Sequence, residues 1–355
     1  GRHYSVLKAL PYLWSVFLDP GRKGTFKIDL DQVFPQDELT AETGRSAFEH
    51  FRTPLWGASA VDHEGNDVDL GMLAGALVNE KDIAAGLFTP DIPWPPDRPE
   101  GEDLIFFKQR PMAVSTRAEL MTRYGAEGAP DGKNSALHRI HVTGGTNGIR
   151  FDALRQHRPF TPTFVGRAED QSYILSVLRP QGGTRALRYL HASGLIMRHD
   201  KEAFASGAVK AGKAGSYVGD LVRLFVFSRY ADALPGGLEG IKSEVDPFTG
   251  CFITPIPATL AMLRLALHLR TAEAGTTEQR QQILDLAAVR LLPWLEDSSD
   301  STPDILGAWR RERRAWDAFY DAVERLETAL ERRDSAAQDT RESFRRHFEA
   351  ARITD

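Results

Sequence analysis

Three short stretches carry the residue types that can do chemistry. Asp29 and Asp31 close the run Thr25-Phe-Lys-Ile-Asp-Leu-Asp31, whose alternation predicts a half-buried strand from Thr25 to Asp29. Residues two apart on a strand face the same way, so at the strand's end both carboxylates can reach one hard divalent cation, Mg²⁺ or Mn²⁺. The other reading of an isolated Asp-x-Asp is a solvated turn. Gly144-Gly145-Thr146-Asn147 offers backbone N–H groups and close approach to a ligand, or simply turns a corner. Arg167-Ala-Glu169-Asp170 opens a segment from Gln171 to Leu178 whose Ile174, Val177 and Leu178 keep helical spacing. Acidic residues in a first turn are stabilised by the helix dipole and cap free N–H groups, and Arg167 can hold a carboxylate or a phosphate.

Histidines and lysines follow. Arg185 to His191 and Leu195 to His199 predict two strands joined at Ser193-Gly194, each ending in a histidine. A lone histidine is usually a surface or core residue, and His191 competes with His199 for any role. Lys210 and Lys213 sit among Gly207, Gly212, Gly215 and Gly219. This composition predicts either a flexible surface loop or a lid able to close over a diphosphate.

These groups depend on the elements around them. Tyr4 to Leu18 predicts an amphipathic helix, Glu38 to Phe51 a helix, Trp56 to Asp69 a polar loop, and Gly71 to Leu87 a largely apolar helix. On that reading Asp67-Val-Asp69 is an Asp-x-Asp with no strand to present it. Five prolines between Pro90 and Pro99 interrupt regular structure, and Ile149 to Gln156 predicts a short helix. Helices are expected again at Tyr217–Tyr230, Thr259–Thr271 and Glu278–Leu295. Trp309, Trp316, Val323 and Leu330 then recur every seven residues, with Phe319 and Leu326 between them. Such a stripe is a packing seam, spent either on the rest of the chain or on a homodimer through the C-terminal helices.

Composition narrows the classes. With 355 residues, 42% hydrophobic and 26% charged, the chain has room for one large or two smaller globular domains. Its 49 acidic and 44 basic residues are interspersed, so no basic field favours nucleic acid or an anionic membrane as a partner. No stretch approaches the apolar length of a membrane span. The one cysteine, Cys251, lies in an apolar run and fits a small buried hydrophobe in a reducing cytoplasm. A soluble, cytoplasmic protein is expected.

In their order and context, Asp29-x-Asp31, Gly144-Gly-Thr-Asn-Gly148, Glu169-Asp170 and the strand-end His199 resemble the second half of a GT-A glycosyltransferase, nearest to the large family-2-type group. The resemblance runs from Tyr4 to Lys213. It implies an α/β fold with a GT-A-like (Rossmann-like) mixed sheet flanked by helices. The catalytic domain would span 1–255 without its first, nucleotide-binding strands, and a helical C-terminal region would span 256–355. On this view the chain is a fragment, or the donor base is recognised elsewhere. The long stretch between Asp31 and Gly144 would be an acceptor-shaping insert.

The resemblance also implies roles. A divalent cation (Mn²⁺ or Mg²⁺) would be held by Asp29, Asp31 and His199. Asp170 would act as general base in an inverting transfer, with Glu169 orienting it or the acceptor. Lys27, Gly144, Gly145, Thr146, Asn147, Arg167, Lys210 and Lys213 would contact a nucleotide-sugar donor and a hydroxyl-bearing acceptor. Two alternatives stay open. One is a sugar nucleotidyltransferase of the same fold; the other is a non-catalytic, degenerate glycosyltransferase whose helical tail mediates assembly.

Overall fold

The structure is a computed structural model. It describes residues 17–21, 23–27, 32–33, 36–54, 56–61, 65–78, 147–166, 169–179, 185–199, 208–245, 250, 252–271, 274–296 and 303–350.

The chain is α/β, a mixed sheet flanked by helices and followed by a helical C-terminal region. Its strands are β1 (Gly24–Lys27), β2 (Gln32–Val33), β3 (Ser59–Val61), β4 (Asp67–Val78), β5 (Asn147–Arg150) and β6 (Ala186–His199). The order is β1-β5-β4-β6-β2, with β3 paired beside β4. Among the described residues only β4 and β6 pair in parallel; the other pairs are antiparallel. Because β1 and β4 are each antiparallel to β5, strands β1, β4 and β6 all run the same way. They end at Lys27, Val78 and His199.

The sheet cannot be flat. Only five peptide links separate Lys27 on one edge from Gln32 on the other, a reach of at most about 18 Å. Five flat strands would separate those edges by about 19 Å before any stagger along the strands. The edges therefore coil towards each other, in the sense of ordinary sheet twist taken further.

The central strand overturns one expectation. Residues 71–78 belong to β4 rather than to an apolar helix, and Asp67 and Asp69 begin that strand. Met72, Leu73 and Ala74 are all buried. Successive residues on a strand face opposite sides, so both faces are covered, and the alternation that would mark a strand disappears. Gly71 is required by packing: a Cβ there would lie 2.5 Å from Ala153 Cβ and 2.6 Å from Leu187 Cδ1. The expected polar loop before β4 contains β3, which pairs with it.

Strand β6 also differs from its prediction. It is one strand from Ala186 to His199, not two. The pairing passes from Ala74 opposite His191 to Ala76 opposite Ile196, so β6 carries three more residues than β4 across that step. The Ser193-Gly194 interruption is an irregularity within a continuous strand.

Helices α1 (Gln36–Thr43) and α2 (Ala47–Phe51) replace the single helix expected there. They are followed by α3 (Phe151–His157), a 3-10 turn (Thr163–Val165), α4 (Glu169–Leu175), α5 (Ala208–Ala233), α6 (Gly237–Glu244), α7 (Pro257–Leu269), α8 (Thr277–Leu295), α9 (Ile305–Glu331) and α10 (Ser335–Ala350). A reciprocal Ser46–Glu49 capping box starts α2, and a Thr276–Gln279 box starts α8.

The expected lid is corrected over its described part. Ala208 to Gly219 is the first part of the 26-residue helix α5, and Lys210 and Lys213 lie on it. Alanine and lysine are good helix formers and offset the glycines. Val218, Leu221, Leu224 and Phe225 anchor the helix against α7 and α8 through Leu260, Leu265, Ile283 and Leu291.

The seam on α9 is spent on the chain itself. Phe160 stacks on Trp309 at 4.8 Å between ring centroids, and Tyr320 donates its hydroxyl to the Pro159 carbonyl at 2.9 Å. Ile305, Trp309 and Tyr320 thereby join Met72, Ile149, Leu187 and Tyr230 in one core that draws on both sides of residue 255.

Candidate functional site

The carboxyl ends of β1, β4 and β6 lie at one end of the sheet, where open α/β sheets bind ligands. The described residues that adjoin three of the sequence motifs fall in two rows, Lys27, Asn147 and Ala74 in one and Gln32 and His199 in another just beyond Val78. Lys27, two residues before Asp29, is the Cα partner of Asn147, which closes the glycine turn. Asn147 is opposite Ala74, and Ala74 is opposite His191. Gln32, the residue after Asp31, is opposite His199. The chain thus enters and leaves the Asp-x-Asp stretch beside residues that the sequence singled out independently.

Asp29, Asp31, Gly144, Gly145, Thr146 and Arg167 lie outside the described residues. For Lys27, Asn147, Glu169, His191, His199, Lys210 and Lys213 the structure gives the secondary structure and not the side chain's surroundings. Glu169 and Asp170 begin α4, as expected, and Asp170 is half-buried there. Ile174 and Leu175 of the same helix are buried against the sheet core beside Met72, Ala74 and Tyr189. Among the described residues, no group of three or more His, Cys, Asp or Glu side chains is placed to hold a metal. The proposed cation ligands Asp29 and Asp31 are not among those residues.

The opposite end of the sheet is built from charges that the sequence reading did not single out as a site. Asp69 Oδ2 lies 3.7 Å from His157 Nε2, and Asp69 Oδ1 lies 3.7 Å from Arg185 Nη1. Arg185 also pairs with Asp67 at 3.5 Å and donates to Ser59 Oγ. Burial pushes the His157 imidazole below its ordinary pKa, while the Asp69 carboxylate pulls it the other way. Five residues of β4 separate Asp69 from Ala74, so the two ends lie about 17 Å apart along the strand.

Next to this end, α9 is clamped to the segment that follows α3. Arg158 pairs with Asp321 and Glu324, each at 2.7 Å, and Arg155 pairs with Glu327 at 2.7 Å. The Thr163 amide donates to Glu312 at 2.9 Å, and Arg313 bonds Asp317 at 3.2 Å. Arg158 does this from a left-handed backbone, φ 51°, at the end of α3. That conformation costs a non-glycine residue about 1 kcal/mol or more. Its ion pairs, half-shielded from solvent, offset part of that cost.

No protein-family model matches the chain, and no curated protein sequence or solved structure matches it. The functional reading therefore rests on the residues and their placement. The sequence missed His157, Arg158, Arg179 and Arg313. Arg158 and its partner Glu324 are separated by 166 positions, and no local pattern announces such a pair; Arg313 and Asp317, four apart on α9, form a local pair that the reading passed over. Among the described residues no helix is long and apolar enough to cross a membrane.

Proposed function

We propose that the chain is a GT-A-like glycosyltransferase that moves a sugar from a nucleotide-sugar donor to an acceptor hydroxyl. The observation that carries this reading is the register around residues 28–31, where Lys27 is paired with Asn147 and Gln32 with His199. In sequence the Asp-x-Asp stretch lies between Lys27 and Gln32 and the glycine turn immediately precedes Asn147, which supports a site near the carboxyl ends of strands that run the same way. Ligands favour that location in open α/β sheets.

On this reading Asp29, Asp31 and His199 hold a divalent cation, Mn²⁺ or Mg²⁺. Carboxylate and imidazole form an acceptable donor set for either. The cation supplies charge compensation for a departing diphosphate. Asp170, in the first turn of α4, takes the proton from the acceptor hydroxyl as that oxygen bonds the anomeric carbon. An inverting course follows from a single such displacement. Glu169 orients Asp170 or the acceptor. Arg167 and the lysines Lys27, Lys210 and Lys213 offer cationic contacts for phosphate. Gly144, Gly145, Thr146 and Asn147 supply N–H and short polar groups to the sugars.

The test is thermal stability against a panel of UDP, GDP and their sugars, with and without Mn²⁺. It is repeated on the double variant Asp29→Ala, Asp31→Ala. A Mn²⁺-dependent shift for one nucleotide, absent in the double variant, is the expected result. No shift with any nucleotide removes the reading for this chain.

A further inference from the structure

A cleft of about 380 Å³ opens where the ends of α3 and α4 meet α9, at the end of the sheet away from the Lys27–Asn147 and Gln32–His199 pairings. Its lining includes His157, Arg158, Ser176, Arg179, Arg313 and Asp317. The volume lies in the range of small-molecule sites.

His157 is the first reason to assign it a ligand. Its side chain is only 4% exposed, and Nε2 makes no hydrogen bond, since Asp69 Oδ2 at 3.7 Å is too far away. Leaving a buried polar atom without a partner is costly, and such atoms gather where a ligand completes the set. The arginines are the second reason. Three guanidiniums reach the cleft from three separate segments, and each is held by a carboxylate. Asp321 and Glu324 hold Arg158, Glu244 holds Arg179, and Asp317 holds Arg313. The contacts of Arg158 use Nη1 and Nη2, and that of Arg179 uses Nη2, so both keep N–H donors among their five. Ser176 is a fixed wall: its Oγ accepts from the Phe160 amide at 3.1 Å and donates to the Tyr173 carbonyl at 2.7 Å.

We propose that this cleft binds a small molecule through a phosphate or carboxylate group, held by Arg158, Arg179 and Arg313 beside the Asp69–His157 pair. Planar, pre-positioned guanidiniums suit either oxyanion. The site is separate from the proposed transfer site and does not depend on it.

Binding is coupled to protons. Asp69 from β4, itself paired with Arg185, lies against His157, and the other charged groups lining the cleft are Arg158 at the end of the same helix, Arg179 after α4, and Arg313 and Asp317 from α9. With the cleft empty, burial keeps the imidazole neutral near pH 7. An anion in the cleft favours the imidazolium, so for an anion of constant charge affinity rises as pH falls towards the pKa of His157, which burial holds below the ordinary value.

The experiment follows the ring resonance of His157 by NMR, assigned by its loss in His157→Asn, while inorganic phosphate or acetate is titrated into the whole chain. Saturable shifts are expected with one or both probes, and acetate, whose charge is constant near neutral pH, should bind more tightly at the lower pH. A response to phosphate alone names a phosphoryl ligand, and a response to acetate alone a carboxylate. Arg179→Gln and Arg158→Gln should each weaken the responding probe about ten-fold. Arg179 is the more exposed and the safer variant should Arg158→Gln unfold the α9 contact. The proposal is overturned if neither probe shifts the resonance saturably. It is also overturned if Arg179→Gln titrates like the parent chain, which would leave an adventitious ion only.

Discussion

The two ends of the sheet are organised on different principles. At the carboxyl end, residues picked out by short contiguous motifs are brought together by backbone pairing, with Lys27 against Asn147 and Gln32 against His199. At the amino end, Asp69, His157 and Arg185 meet through side chains. The neighbouring α9 clamp joins residues as far apart as Arg155 and Glu327. Register costs the chain little to specify, because the core already fixes it. The clamp's charges are engaged with one another and hold the fold. On the proposed function, substitutions at the carboxyl end should cost transfer before stability, and those around the clamp should cost stability first.

The largest effect bears on the proposed transfer, through Asp170 on α4. On that proposal, Asp170→Asn should lower sugar transfer by about 10²- to 10⁴-fold, the usual contribution of a positioned base, in a variant that still folds. Near-normal transfer in a folded variant would remove Asp170 from the base role. The stability half of the contrast is tested at Phe160, which is 1% exposed and stacked on Trp309. Phe160→Ala should cost about 4 kcal/mol in urea unfolding, since it opens a cavity under α9. Gly71→Ala should cost about 2 kcal/mol by overpacking, because the obstructing Ala153 Cβ is fixed to its helix and cannot swing away. If Phe160→Ala left the midpoint unchanged, the seam would not be part of the cooperative core.

Much of the helical half was legible because its signals are local. The spacing of Trp309, Trp316 and Val323 marked the buried face of α9, and Asp304 caps that helix through the Gly307 amide at 2.7 Å. Glu169 and Asp170 were correctly placed at a helix start. Strand β4 was not legible, because a strand covered on both faces loses its alternation and shares the composition of an apolar helix. The helix over Ala208–Gly219 was missed because its glycines suggested a loop, while the packing that holds it comes from Ile283 and Leu291, far along the chain. The Asp69–His157 pair was hidden for a related reason. Asp67-Val-Asp69 looked like an Asp-x-Asp without a strand, and only the fold shows that it opens β4 beside α3.

A smaller effect separates the clamp's ion pairs from its packing. Arg158 is partly exposed, so Arg158→Gln and Glu324→Gln should show a coupling of about 1 kcal/mol or less in a double-mutant cycle. A coupling near zero would assign α9 docking to the Phe160–Trp309 contact alone.

The smallest effect is set by two buried histidines, and it distinguishes the ends by pH. Burial lowers the pKa of His157, and it lowers that of His50 with help from Arg45. In the unfolded chain both titrate near 6.5. Between that value and the lower folded one, the unfolded state binds more protons. Stability must then fall as pH drops through this window and stay level above it. Urea midpoints measured from about pH 7.5 down to about pH 5 should show this decline, and His157→Asn should flatten part of it. An unchanged slope in that variant would mean that His157 is solvated when folded, which would dissolve the difference in burial that sets the amino end apart. A flattened slope would tie part of that pH response to the Asp69–His157 end of the sheet.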